Sequence, residues 1–440
     1  MSKAKIKNRL NHDSSDLHDD HDSTQKNQSN HMNQKNHSSD KWEIPSDWEV
    51  KELDEVVEFL DGKRKPIKDS DRAKIHGIYP YYGASGIIDY VNDFIFDEEL
   101  ILLGEDGANI INRSSPLAFT VKGKIWVNNH AHVLRPKKGF AIGYITEFLE
   151  SIKYDKYNTG TAQPKLNKEV CSSIPILCPP LPEQTAIAQL LSTWDNAITN
   201  TQALITQKEQ RKKWLMQNLL TGKMRLKIND ELKIDNGELN NRSLTDLILG
   251  ELGKIVSGGT PSTTDEKFWD GKINWVTPTE ITGLKGEKYL FKTKRKITEA
   301  GLKNSSAEII PENSILITTR ATIGELAINK VPVTTNQGFK SIIPDLSKIN
   351  TEYLFYLLQT QKQQLKSFAT GSTFFEISRA DIINFPLSII NSLSEQTAIA
   401  QVLQAADKEI QLLKRKCDKL KEQKKGLMQV LLTGKKRLII

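Results

Sequence analysis

The chain alternates between two kinds of apolar pattern. Between residues 41 and 180, short apolar runs are separated by turn residues: WEVKELDEVVEFL, GIYPYYGASGIIDYV, FIFDEELILLG, AFTVKGKIWVNN and HVLRP. Runs of this length bounded by Gly, Pro, Asn and Asp predict strands. GYITEFLESIKY in the same stretch carries helical spacing. Residues 247–392 follow the same plan, with INWVTP, SILITTR, ELAINKV and KSIIPD as strands and TEYLFYLLQTQKQQL as a helix. The preceding TDLILGELGKIVSGG is loosely helical in spacing but aligns better with WEVKELDEVVEFL.

After each of these stretches the period changes. Apolar residues fall at Ile399, Leu403, Ala406, Ile410, Leu413, Cys417, Leu420, Leu427 and Leu431, an alternating four–three spacing interrupted where Lys424 takes a seam position. This is a heptad seam. An earlier copy keeps it at Ile187, Leu191, Trp194, Ile198, Ile205, Leu215 and Leu219, with Thr201 and Lys208 weakening the middle. Pro179, Pro180 and Pro182 suit a helix start, and Gly222 and Gly434 suit the ends. The two copies, 181–226 and 393–438, match without a gap at an offset of 212, and about half of the 46 positions are identical. TGTAQPKLNKEVCSSIPI (159–176) and TGSTFFEISRADIINFPL (370–387) match at an offset of 211.

The expected fold is therefore α/β (α+β): two similar globular domains separated by two long helices in an antiparallel coiled coil, forming a pseudo-twofold internal repeat. The expected boundaries are a disordered polar tail at 1–40, a first domain at 41–180, a long helix at 181–226, a linker at 227–246, a second domain at 247–392 and a second long helix at 393–440. A helix of about 35–40 residues is about 55–60 Å long. That exceeds one turn of B-DNA, at about 34–36 Å.

Charge sharpens this picture. The net charge of the 440 residues is +7. The first helical repeat has six Lys/Arg against three Asp/Glu, and the second has eleven against five, so together they carry +9 and leave the remainder near −2. Solvated helix faces account for this as readily as contact with nucleic acid or an acidic partner. Three scattered cysteines make neither a disulfide framework nor a zinc site. Five of the eight histidines lie in the polar tail without cysteine or regular spacing, so no metal site is assigned. No apolar stretch approaches about 18 residues, and no apolar core follows the basic N-terminus, so a cytoplasmic protein without a membrane span is expected.

PPLPEQTAIAQLL and LSEQTAIAQVL, the two LLTGK endings, YPYYGASGII, VSGGTPST, FWDGKINWVTP and TGST together resemble the specificity subunit of type I restriction–modification enzymes. The resemblance covers nearly everything after residue 40 and gives no role to the tail. It implies two target-recognition domains that each read half of a bipartite, asymmetric DNA sequence, with the helices fixing the spacer. It also implies docking of two modification subunits that methylate adenine with S-adenosylmethionine. Restriction subunits that use ATP and Mg can then join. This chain would carry no cofactor and no catalysis.

The residues themselves hold little chemistry. No GxxxxGK[ST] loop occurs. Cys178-Pro179-Pro180-Leu181 lacks the polar and aromatic residues of an amino-methyltransferase motif. Asp61-Gly62-Lys63 and Asp270-Gly271-Lys272 are turn signals before they are nuclease signals. LLGEDGAN, with Gly104, Asp106 and Gly107, is a turn after a strand more readily than a phosphate loop. DNA readout calls for Arg or Lys at guanine and Asn or Gln at adenine. The candidates in the first domain are Lys63, Arg64, Lys65, Tyr82, Ser85, Asn129, His130, Thr161 and Gln163. Those in the second are Thr260, Ser262, Arg320, Asn336, Gln337, Thr370 and Thr373. Lys292, Lys294, Arg295 and Lys296 suit phosphate, although Ser, Thr and Gly in such loops equally make turns. Gln184, Thr185 and Gln189 recur as Gln396, Thr397 and Gln401. A partner docking twice would favour them, and helix capping, with Glu183 and Glu395, is the alternative. Two rival functions remain open: a self-sufficient methyltransferase or nuclease with an unrecognised site, and a coiled-coil adaptor without a DNA role.

Overall fold

The computed structural model describes residues 43–229, 231–235, 244–369 and 375–438. The polar tail and the Thr370–Thr373 stretch lie outside the described residues. The chain divides into two compact units: one takes residues 1–201 and 416–440, the other 202–415. The division passes through both long helices. Each unit thus combines one globular domain with the start of one helix and the end of the other.

In the first unit, β1 (Glu49–Glu52) pairs with β10 (Pro175–Cys178) and closes the domain on itself. β2 (Val57–Phe59), β9 (Ala131–Pro136), β6 (Leu100–Gly104) and β7 (Ala118–Val121) form one antiparallel sheet in that order. β4 (Gly86–Val91), β3 (His76–Gly83), β8 (Lys124–Val127) and β5 (Phe96–Asp97) form the second, in which β3 and β8 run parallel. All five residues of β6, LILLG, are buried, because sheet neighbours and core cover both faces.

The second unit repeats this plan. β13 (Thr245–Ile248) pairs with β22 (Pro386–Ile389). β14 (Gly253–Ser257), β21 (Lys340–Pro344), β18 (Ile315–Ile317), β19 (Leu326–Asn329) and β16 (Tyr289–Leu290) form the larger sheet. β17 (Arg295–Ile297), β15 (Trp269–Val276) and β20 (Thr334–Thr335) form the smaller, again with one parallel pair, β15 with β20. The helical reading of 245–259 is thus displaced by strand, short 3-10 turn and strand, as the alignment with residues 48–60 implied. The segment expected to be a linker opens instead as a hairpin of β11 (Arg225–Asn229) and β12 (Glu231–Asp235).

The two long helices run Leu181–Leu219 and Leu393–Leu431, and each ends at a left-handed glycine, Gly222 at φ 69° and Gly434 at φ 73°. They pair antiparallel within each unit. In the first unit Lys424 meets Asp195 at 2.7 Å. In the second unit Lys212 meets Asp407 at 2.6 Å and Lys414 meets Glu209 at 2.7 Å. The seam residues Ile187, Leu191, Leu215, Leu219, Ile399, Leu403, Ile410, Cys417 and Leu431 are buried. All three irregular seam positions find partners, Lys208 meeting Glu409 at 2.5 Å. Thr201 donates its hydroxyl to the Ala197 carbonyl at 2.7 Å. Lys424 sits between Glu147 and Asp195, where burial foremost, reinforced by the nearby Asp195 charge and only partly offset by Lys424, pushes the Glu147 carboxyl up to about 7.

The repeated helix starts serve the domains. Gln184 is buried, with Oε1 accepting from the Ala141 N–H at 2.9 Å and Nε2 donating to the Pro179 carbonyl at 2.8 Å. Gln396 repeats this with the Asn350 N–H at 2.8 Å and the Ile390 carbonyl at 2.7 Å. Ala141 and Asn350 are the residues that precede the domain helices Ile142–Ser151 and Thr351–Thr360. Each of these two glutamines, expected at a partner surface or as part of a cap, spends both ends of its amide inside its own unit.

Glu183 and Glu395 do not cap their own helices either. Glu183 receives Arg437 at 2.6 Å and the Trp48 indole N–H at 3.2 Å, and Glu395 receives Arg225 at 2.6 Å. Each acid at the start of one repeat thus meets the arginine at the end of the other. Removing one partner strands a buried carboxylate. Arg225→Ala is expected to lower the calorimetric unfolding transition of the second unit by about 2 kcal/mol, less than a fully buried pair because Arg225 is partly exposed. An unshifted transition would show the pair to be energetically idle.

Candidate nucleic-acid interface

In the first unit β6 delivers Glu105-Asp106-Gly107 to the surface, where three loops meet. The Glu105 N–H donates to the His130 carbonyl at 2.9 Å, and the Leu166 N–H donates to the Glu105 carbonyl at 2.7 Å. The Gly107 N–H donates to the Pro164 carbonyl at 3.0 Å, and Asp106 forms an isolated bridge with Lys165. The loop from Asn158 to Lys165 is folded on itself by Asn158 Oδ1, which accepts from the Gly160 N–H at 3.0 Å and the Lys165 N–H at 2.8 Å. A Cβ on Gly160 would come within 1.8 Å of the Gln163 carbonyl oxygen, so only glycine closes this loop. The turn after β8 is an Asx turn, with Asn128 Oδ1 accepting from the His130 N–H at 2.8 Å.

This geometry gathers most of the first-domain candidates. Asn129, His130, Thr161 and Gln163 are exposed on the two adjoining loops. Tyr82 accepts the Asn128 N–H through its carbonyl, and Ser85 is exposed at the tip of the β3–β4 hairpin. Lys63 and Lys65 are exposed, and the Lys65 N–H donates to the Val127 carbonyl at 3.4 Å. Arg64 points the other way. Its guanidinium binds Glu105 at 2.7 Å and the Ala131 carbonyl at 2.7 Å, so it ties the loops together.

Beneath the loops lies a charged residue pair that the sequence did not single out as such. His132, buried, places Nδ1 2.7 Å from Asp61 and Nε2 2.8 Å from the Leu166 carbonyl. A carbonyl and a carboxylate only accept, so both ring nitrogens donate and the ring is an imidazolium. Burial opposes that charge most strongly, yet the hydrogen bond to Asp61, aided by Cys171, holds the His132 pKa up at about 10. Burial likewise raises Asp61, but the His132 bond and charge and the Val133 N–H outweigh it and keep its carboxyl below the usual range. Asp61 thus anchors the turn it sits in, through His132 and the Val133 N–H.

The second unit builds the same cluster. The Thr319 N–H donates to the Gly338 carbonyl at 2.7 Å, the Ile377 N–H to the Thr319 carbonyl at 3.2 Å, and Asn336 Oδ1 accepts from the Gly338 N–H at 3.0 Å. Asn336 donates its own N–H to the Val276 carbonyl at 3.0 Å, as Asn128 does to Tyr82 at 3.0 Å. Asn336 is therefore part of the framework. Gln337 is exposed and joined to the Thr260 hydroxyl. Arg320, exposed, meets Glu376 at 2.6 Å. A Cβ on Gly258 would fall 1.8 Å from the Asn336 carbonyl oxygen and one on Gly259 2.3 Å from the Ala307 nitrogen, which explains the paired glycines of VSGGTP.

Arg295 lies 3.9 Å above the Trp269 ring and 4.9 Å from Trp275, and Ser262 accepts the Trp269 indole N–H through its carbonyl. Lys294 and Lys296 flank Arg295 and are exposed, and Lys292 is exposed on the connection between β16 and β17. No described contact joins Lys292 to the loop cluster. Thr370 and Thr373 fall outside the described residues. On the helices, Thr185, Gln189, Thr397 and Gln401 are all exposed, four residues apart in each pair.

Residues 45–210 and 245–422 match the type I restriction modification DNA specificity domain. The chain belongs to this type I specificity family. The type I restriction enzyme MjaVIII specificity subunit of Methanocaldococcus jannaschii is 26% identical over 414 residues, covering 87% of this chain and 92% of that one. The MjaIX specificity subunit of the same organism is 39% identical over 161 residues, 36% of each chain. The EcoR124I/EcoR124II specificity subunit of Escherichia coli is 28% identical over 246 residues, covering 53% and 55%. The chain thus spans about a third to a half of the length of several curated relatives it matches, and nearly all of one. The crystal structure of a type I restriction–modification S subunit from M. genitalium superposes with a TM-score of 0.58 at 15% identity, covering 87% of this chain and 96% of that one. These matches agree with two specificity domains and paired long helices. Among the described residues no helix is long and apolar enough to cross a membrane.

The His132 pair gives the first specificity domain a pH signature. The folded pKa of about 10 lies above the ordinary histidine value of 6.5. Its contribution is therefore full below about pH 6.5 and is lost as pH rises through about 10. His132→Asn is expected to cost about 3 kcal/mol at neutrality. The gap from the wild type should narrow in urea unfolding between pH 6.5 and 10.5, and a gap independent of pH would refute the assignment.

Proposed function

We propose that this chain is the DNA sequence-specificity subunit of a type I restriction–modification complex. The observation that carries the reading is the loop cluster built twice. Two sets of matching backbone hydrogen bonds hold different side chains outward, on domains tied to an antiparallel helix pair. Two different reading surfaces call for a split, asymmetric target in double-stranded DNA. The helix pair sets the unread spacer between its halves.

Catalysis lies elsewhere in this reading. The exposed side chains of the clusters suit base edges and phosphates. Among the described residues no group of His, Cys, Asp and Glu has the arrangement of a metal site. Two modification subunits supply adenine methylation with S-adenosylmethionine, and restriction subunits that join them supply the ATP- and Mg-dependent steps. The complex works on DNA in the cytoplasm. The modification subunits dock where Thr185 and Gln189, and again Thr397 and Gln401, leave the same polar pair exposed on a helix start. A lone methyltransferase or nuclease has no support from the loop geometry.

Deleting the gene is expected to remove one split, asymmetric methyladenine motif from the source genome, read by single-molecule sequencing. An unchanged methylome with the modification subunit expressed would end the proposal. Gln189→Arg combined with Gln401→Arg is expected to reduce co-purification of the modification subunit at least tenfold while leaving the melting temperature of the chain unchanged. Undiminished co-purification would place the docking surface elsewhere.

A further inference from the structure

The two loop clusters can be superimposed in thought residue by residue through their backbone bonds. The His130 carbonyl accepts the Glu105 N–H, and the Gly338 carbonyl accepts the Thr319 N–H. The Glu105 carbonyl accepts the Leu166 N–H, and the Thr319 carbonyl accepts the Ile377 N–H. The next residue in each unit forms an isolated antiparallel bridge: Asp106 with Lys165, and Arg320 with Glu376. Asp106 and Arg320 are therefore equivalent, and so are Lys165 and Glu376. The charges are reversed at both positions.

Asp106 and Arg320 are each partly exposed and held by a second polar side chain. The Asp106 side chain is 24% exposed and lies 2.8 Å from the His130 ring Nδ1. The Arg320 side chain is 46% exposed and lies 2.6 Å from Glu376. Glu376 is itself held at 3.2 Å by Lys340, whose side chain is 9% exposed. Such second contacts fix rotamers, so each head group is presented in one orientation. A carboxylate is repelled by phosphate, which removes backbone positioning as a role for Asp106 on a DNA-facing loop. Its favourable partner on a duplex is the exocyclic amino group of a base, and that of a guanidinium is the O6/N7 edge of guanine.

We infer that the two units read one equivalent position of their half-sites with opposite polarity: Arg320 donates to a guanine, and Asp106 accepts from the exocyclic amino group of a cytosine or adenine. Glu376 and His130 are positioning residues for these two readers. The inference rests on the DNA-reading function proposed above.

The test uses the full chain with its modification subunit, on duplexes carrying the motif found in the genome. Each guanine is replaced in turn by 7-deazaguanine, which lacks the N7 acceptor. The wild-type complex is expected to lose about tenfold in affinity at one guanine of one half-site. Arg320→Gln is expected to show that loss on unmodified DNA and no further loss at that guanine. Additive losses, or no sensitive guanine, overturn the assignment of Arg320.

Asp106→Asn is expected to relax one cytosine or adenine in the other half-site, read by methylation of duplex libraries randomised at each position. The base preferred by the wild type there distinguishes the two sources of the amino group. A motif unchanged at every position, or a change in the same half-site as Arg320→Gln, overturns the assignment of Asp106. Thermal unfolding identifies a misfolded variant. Arg320→Lys and Asp106→Glu then replace it, keeping the charge while moving the head group, and each is expected to weaken discrimination at the same single position. A motif that vanishes with the gene but ignores all these changes defeats this inference alone, whereas a motif that survives gene deletion defeats the DNA-reading function itself.

Discussion

The architecture depends on an exchange of charge between the two repeats. The acid at the start of each long helix is buried, and a buried carboxylate is tolerated only beside a cation with good geometry. In both units that cation comes from the end of the other repeat: Arg437 for Glu183 and Arg225 for Glu395. Neither repeat can satisfy its own acid, because about 40 residues of helix separate the two ends. The antiparallel pairing of the helices follows from this exchange as much as from the apolar seam. The buried glutamine beside each acid then fastens the helix start to the domain helix it faces.

On that frame, the loop clusters separate what is fixed from what is free to vary. The Asx turns at Asn128 and Asn336, the main-chain bonds to residues 105 and 319, and the glycines at 160 and 258 set the backbone. The outward side chains can change without disturbing it. Even the support beneath is exchangeable: the first unit uses Asp61 with His132, and the second uses Lys340 with Glu376. In each case an ion pair with one buried member holds a surface loop in place. This is a physical basis for two domains of one fold carrying unlike recognition surfaces.

Much of this was legible in the chain. The four–three spacing locates both long helices, and the offset of about 211 equates the two domains from sequence alone. The irregular seam residues Thr201 and Lys424 were visible as breaks, but their partners, a carbonyl one turn back and an acid pair, required three dimensions. Long-range pairing was the main thing hidden. Gln184 and Gln396 looked like surface residues because polar side chains in a helix start usually are, and nothing local announces a backbone N–H 43 residues away. The anchors of Arg64 were hidden for the same reason, since residues 105 and 131 are distant in sequence. Asp106 was passed over because an Asp-Gly after a strand reads as a turn. It is indeed in a turn, and the charge reversal against Arg320 becomes visible only when the two clusters are aligned by their hydrogen bonds.

The division into units has a consequence for how the chain is made. The second unit is one uninterrupted segment, whereas the first is interrupted by the whole of the second and completed by residues after 415. During synthesis the domain of residues 43–180 emerges long before Arg437, which lies 254 positions beyond the acid it neutralises. Until then Glu183 is unpaired and the apolar stripe of the first helix start is uncovered. The closure entropy of so long a loop falls if the inserted unit folds first and brings its ends together. The second unit thus acts as an internal splint, and the first domain to be translated becomes the last to be finished.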